Sequence, residues 1–151
     1  MYTYSPTEVT ILIAGTAIEG WERVAIIPEQ PTFRMIKGIR GKNARVKNND
    51  TSAIIEVEVD QTSDANILFS EILRQDYASG NGRMEVTIKD GLGFDLFNTN
   101  QAYISSPPIR TFGATSEVRL WTIHCLMSNN MEYNMGSPLS NIFDGFSSLF
   151  N

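Results

Sequence analysis

Only one cysteine and one histidine occur in this chain, and those two scarcities exclude whole classes of chemistry. A lone Cys125 cannot form an intrachain disulfide, so no disulfide framework carries the fold, and a reducing compartment suits it. A structural zinc site needs about four His or Cys ligands, more than the chain has. Cys125 and His124 are neighbours in an alternating segment, so their side chains point to opposite faces and make no Cys–His pair. They read as a packed thiol and a surface or interface imidazole. Gly80-Asn81-Gly82 and Gly91-Leu92-Gly93 lack the lysine or third glycine of a phosphate-binding loop, and read as turns. No apolar run approaches the ~20 residues that cross a bilayer. The opening MYTYSPTEVT lacks a basic region leading into an apolar stretch, so it does not read as a signal peptide. The chain shows no internal repeat. The expectation is a soluble one-domain protein made in the cytoplasm, with no membrane anchor, no enzymatic activity, and neither metal nor cofactor.

What is present is an ordinary folding composition with an uneven charge. Of 151 residues, 42% are hydrophobic and 19% charged, enough to bury a real core. The formal net charge is −5, which gives no bulk attraction to nucleic acid. Yet six of the 12 basic residues fall together: Arg34, Lys37, Arg40, Lys42, Arg45 and Lys47, with no acid between positions 33 and 49. The remainder carries 17 acidic against 6 basic residues, a net of −11. Three readings of this basic segment stand side by side. It is a solvated loop, a phosphate contact, or an arm that reaches an acidic surface on another copy and fixes register by charge complementarity. Only the last accounts for both the arm and the acidic body.

Periodicity predicts a mainly β domain. Val9, Ile11 and Ile13 alternate with Thr10, Leu12 and Ala14 before Gly15, and a second strand is expected over 23–27, ahead of Pro28 and Pro31. The basic segment, with Gly38 and Gly41 near its centre, reads as a long hairpin or extended loop. Residues 54–60, IIEVEVD, alternate most cleanly: Ile55, Val57 and Val59 on one face, Glu56, Glu58 and Asp60 on the other. Carboxylates two apart on a straight strand lie about 7 Å apart, too spread to close on one cation. Helical spacing follows, capped by Ser63 or Asp64, with Leu68, Phe69, Ile72 and Leu73 as its apolar stripe and Ser79-Gly80-Asn81-Gly82 as its end. Strands are expected over 84–89, 94–97 through an Asp90-Gly91 turn with Gly93, at Tyr103-Ile104 before Pro107-Pro108, and over 117–125. After position 126 the composition changes. Ser137-Pro138 followed by Leu139, Ile142, Phe143, Phe146 and Phe150 predicts a short amphipathic helix, weakened by Gly145. The fold class is therefore a small β-sandwich or open barrel with one flanking helix and a long extended loop.

Taken in order, several of these stretches resemble the tail tube proteins of contractile-tailed bacteriophages. They are Tyr4-Ser5-Pro6 with Val9 and Gly15, Phe33 opening the basic loop, and Gln61-Thr62-Ser63 with Asn66 and Asp76. Ile88-Lys89-Asp90 with Gly93, Pro107-Pro108, and Trp121-Thr122-Ile123-His124-Cys125 complete the set. The likeness runs over residues 4–125. It implies a tail-tube β domain over 1–126, with the extended loop at 34–50 and a helix at 63–77, and a C-terminal extension over 127–151. It further implies hexameric rings that stack into a tube whose strands join in one continuous β-barrel around a DNA-conducting lumen. The six basic residues would then sit at the inter-ring interface, and Glu56, Glu58 and Asp60 would face the lumen, where an acidic wall lets DNA slide. The implied partners are further copies of the chain, a contractile sheath protein, baseplate and tail terminator proteins, and DNA in passage. The implied place is the virion tail. The same architecture serves bacteriocins, type VI secretion and extracellular injection machines, and a monomeric β-sandwich binding module is the alternative of another class.

Overall fold

A computed structural model describes residues 3–92 and 96–126. After a 3-10 turn at Pro6–Glu8 come β1 (Val9–Ile13), β2 (Thr16–Ala17), β3 (Trp21–Pro28), β4 (Phe33–Lys37), β5 (Asn43–Lys47) and β6 (Ala53–Asp60). The helix α1 (Ala65–Ser79) follows, then β7 (Met84–Asp90), β8 (Leu96–Ile104) and β9 (Val118–Cys125). Seven strands form one open antiparallel sheet in the order β2-β1-β7-β8-β9-β6-β3, and β4 and β5 form a separate two-stranded sheet. The domain is mainly β with a single helix and unclosed sheets among the described residues, a small sandwich-like architecture as the alternation implied.

The alternating strand at 54–60 is the axis of this arrangement. Ala53, Ile55, Val57 and Val59 of β6 are fully buried, and the residues between them are partly exposed. β6 pairs with β3 on one side and β9 on the other, so three strands present one apolar face inward. Strands far apart in sheet order, β1 with Ile11 and Ile13 and β6 with Val57, contribute to one continuous core. The sheet therefore curls over its own apolar face. α1 covers the opening: Phe69 lies 5.2 Å from Trp121 of β9, ring planes tilted by 35°, and Leu68, Ile72 and Leu73 pack at the core margin.

The pairing of β7 with β8 steps from Val86↔Thr99 to Met84↔Ala102, two residues against three. That bulge lets both Thr99 and Ala102 face the core although three positions separate them, which breaks the period-two pattern. The helix runs 65–79, two residues later at each end than the 63–77 expected from sequence. Its start is displaced because residues 60–63 form a turn first, Ser63 N donating to the Asp60 carbonyl at 2.9 Å. Ser63 then does the capping: its Oγ accepts from Ala65 N at 3.1 Å and donates to the Glu19 carbonyl at 2.6 Å. Asp64 makes no side-chain cap bond. The end is extended until Gly80 takes the left-handed conformation, φ 72°, and closes on Asp76. Gly82 follows with its N donating to Asp76 Oδ1 at 3.0 Å, an approach so close that a Cβ there would overlap the aspartate side chain. The expected C-terminal helix with Ser137 and Pro138, and the 93–95 part of the β7–β8 hairpin, lie outside the described residues.

Candidate assembly surfaces

The basic segment is a hairpin. β4 and β5 pair from Phe33↔Lys47 to Lys37↔Asn43, and Gly38 N donates to the Lys42 carbonyl at 2.7 Å to close the tip. At the base, Asn48 N donates to the Thr32 carbonyl at 2.8 Å, and Asx turns at Asn48 and Asp50 lead the chain back into β6. The Ser52 backbone N–H, with help from its hydroxyl, holds the Asp50 carboxyl below its ordinary pKa. All ten strand residues are exposed, and no element of the main sheet makes a substantial contact with them.

Register distributes the six basic residues in a way that composition could not. Lys37, Arg45 and Lys47 share one face with Phe33 and Met35, because opposite partners in an antiparallel pair point the same way. Arg34 lies on the other face with Ile36, Ala44 and Val46, and Arg40 and Lys42 belong to the tip. The Arg45 guanidinium sits 4.1 Å over the Phe33 ring, a cation–π contact. Phe33, Met35, Ile36, Ile39 and Val46 are all exposed. The arm is therefore apolar along its length with a basic rim. The signal for this is in the sequence itself, FRMIKGIR, where apolar residues interleave with the charges.

The polar face of β6 is less bare than its sequence. Arg23 of β3 lies opposite Glu58 and reaches both Glu56 (3.4 Å) and Glu58 (3.3 Å) through Nη2. Sequence reasoning missed Arg23 because only strand pairing places it between the two carboxylates. Asp60 ends the same row but is engaged in a turn: it accepts from Thr62 N at 2.9 Å, Thr62 Oγ1 at 2.7 Å and Ser116 Oγ at 2.8 Å. Those bonds, the Thr62 hydroxyl first, hold its carboxyl below the ordinary value. Farther along this face His124 stacks on Tyr103, ring centroids 5.4 Å apart, with Nδ1 3.7 Å from Glu29 Oε1. Cys125 points the opposite way into the core, where burial pushes its thiol up to about 12, Glu29 adding to the effect. The described residues hold no cluster of three groups able to bind a metal, and no helix long and apolar enough to cross a membrane.

One long sheet edge is unpaired among the described residues: β3, eight residues from Trp21 to Pro28, bonds only to β6. The opposite edge ends in the two-residue β2. Free edges invite a strand from another chain.

No family model matches the chain. It is 30% identical over 132 residues to the structural protein ORF10 of Pseudomonas phage KPP10, a match spanning 80% of this chain and 76% of that protein. Its fold is similar to that of a chain in the cryo-EM structure of the anti-feeding prophage cap, the cap that terminates the tube. The TM-score is 0.57 at 10% identity, over 85% of this chain and 91% of that one. At that identity the likeness concerns the fold.

Proposed function

The chain belongs to the family of phage structural proteins that includes ORF10 of Pseudomonas phage KPP10, and from that premise we propose that it is the inner-tube subunit of a contractile phage tail. Copies form hexameric rings, the rings stack, and DNA passes through the lumen. The observation that carries this reading is the β4–β5 hairpin. A two-stranded hairpin is at best marginally stable alone, and burying each large apolar side chain contributes roughly 1.5–3 kcal/mol. This one projects with both faces exposed, so its apolar residues find cover on a neighbour while its basic rim meets the acidic body of that neighbour. Ring stacking is head-to-tail association that does not close, which yields a filament.

Lateral joining uses the free edge of β3, which would extend the sheet of one subunit into the next and remove the edge. Arg34, Lys37, Arg40, Lys42, Arg45 and Lys47 act at the inter-ring contact. Glu56 and Glu58, with Asp60 beside them, face the lumen. The sheath surrounds the tube, and baseplate and terminator proteins close its ends in the virion tail. A related injection machine, such as a bacteriocin or type VI system, would use the same surfaces.

A second reading, a terminating ring at the end of the tube, is favoured by the likeness to the anti-feeding prophage cap. Negative-stain microscopy of the purified protein separates the two. Tubes of variable length support the tube subunit, and single rings that never stack support the cap. A monodisperse monomer at high concentration contradicts both, and leaves a binding module. The variant with Arg40, Lys42 and Arg45 all changed to Glu should lose tubes and keep its thermal unfolding transition.

A further inference from the structure

A groove of about 520 Å³ runs between α1 and the segment after β8, with Trp121 at its floor, Tyr77 on its helical wall and Pro107 opposite. Three of its lining residues are Arg74, Arg110 and Arg119, and none of the described lining residues is acidic. Arg74 is paired with Glu71. Arg119 is different: its Nε is buried and has no hydrogen-bond partner among the described residues, an uncompensated group that costs free energy until something reaches it. Its guanidinium carbon lies 6.0 Å from the centroid of the Phe112 ring.

The groove is thus a cationic, part-aromatic trough that lacks an acid. The chain itself supplies a segment of the complementary kind. No Lys or Arg occurs after Arg119, and residues 127–151 carry Glu132 and Asp144. Leu139, Ile142, Phe143, Phe146 and Phe150 recur at the three- and four-residue spacing of a single helical stripe, with Asp144 next to it. A helix with such a stripe laid into a groove is a common recognition mode.

Length permits the return. β9 carries the chain from Arg119, at the groove, to Leu126, whose N–H bonds the Gln101 carbonyl at 2.9 Å. That is about 23 Å at ~3.3 Å per residue. Residues 127–137, if extended, span roughly 36–40 Å, enough to come back with residues to spare. We infer that the groove between α1 and the 105–110 segment is the docking site of residues 138–150 of the same chain, Asp144 lying against Arg110 and Arg119. This holds for a tube subunit and a cap subunit alike.

Chymotrypsin digestion of the full chain tests it, with cleavage after Phe143 and Phe146 read by mass spectrometry. In Arg110→Glu, cleavage there should be at least about tenfold faster, because facing like charges disfavour the docked state and cleavage follows the open population. Arg110 is exposed, so its thermal transition should not move; Asp144→Lys leaves the domain untouched and should give the same acceleration. Equal cleavage rates in the wild type and both variants overturn the proposal. Protection in the wild type that vanishes on dilution overturns it too, since the tail would then occupy a neighbour's groove.

Discussion

Trp121 Nε1 donates a buried 2.9 Å hydrogen bond to Asn66 Oδ1, tying the last strand of the sheet to the first turn of its only described helix. Asn66 Nδ2 in turn donates to the Asp60 carbonyl at 2.9 Å and the Ser63 carbonyl at 3.2 Å. One buried amide thus satisfies three groups on three segments. Asn66→Ala leaves the buried Trp121 Nε1 without a partner, while the Asp60 and Ser63 carbonyls keep the backbone donors Ser63 N and Asn66 N, and it should destabilise the fold by about 1–3 kcal/mol in urea unfolding. Trp121→Phe removes one donor while keeping a ring against Phe69. It leaves Asn66 Oδ1 unpaired and a void in the core, so it should cost at least as much as Asn66→Ala, and a loss near zero in both would show that this bond does not hold the helix to the sheet.

The carboxylates of β6 are expected to tune transport, not folding. Changing both Glu56 and Glu58 to Lys should leave assembly intact and slow DNA release from virions, measured by ejection kinetics. Unchanged kinetics would place that face away from the channel. Arg23→Ala should shift stability by less than ~1 kcal/mol, because half-exposed ion pairs in solvent contribute little.

Acid should act through Asp60. Its folded-state pKa lies below the ordinary value of 3.8, so the ionised form is favoured by folding. That stabilisation is present above the unfolded-state value and disappears as pH falls from there through the folded-state value. In thermal unfolding across pH 5 to about 2, Asp60→Asn should therefore show a shallower loss of stability than the wild type. Parallel curves would mean that the three hydrogen bonds on Asp60 do not favour its charge.

The buried thiol gives a probe of opening. With its pKa near 12, Cys125 is protonated at pH 8 and should react with a maleimide only as fast as the fold opens. Denaturant should accelerate labelling in step with unfolding. Labelling at the rate of a free thiol would contradict its place in the core.

Much of this was legible because burial writes itself onto a strand at period two. The β6 alternation, the Trp121-Ile123-Cys125 row and the Leu68-Phe69-Ile72-Leu73 stripe each name their inward face without any knowledge of neighbours. What could not be read depends on which strands meet. Arg23 lies between Glu56 and Glu58 only because β3 pairs with β6 in one register. The β8 bulge hides the inward positions Thr99 and Ala102 behind a broken alternation. The hairpin's two apolar faces, with Lys37 and Arg45 on one and Arg34 on the other, likewise follow from cross-strand register.

The claim that the hairpin is the contact between stacked subunits is tested most directly at its tip. Ile39 is fully exposed there, so a photocrosslinking side chain at that position should leave the fold unchanged. In assembled particles it should link one copy to another, with the adducts mapping to a single patch on the main sheet. Efficient assembly with no intermolecular adduct from position 39 would contradict the account.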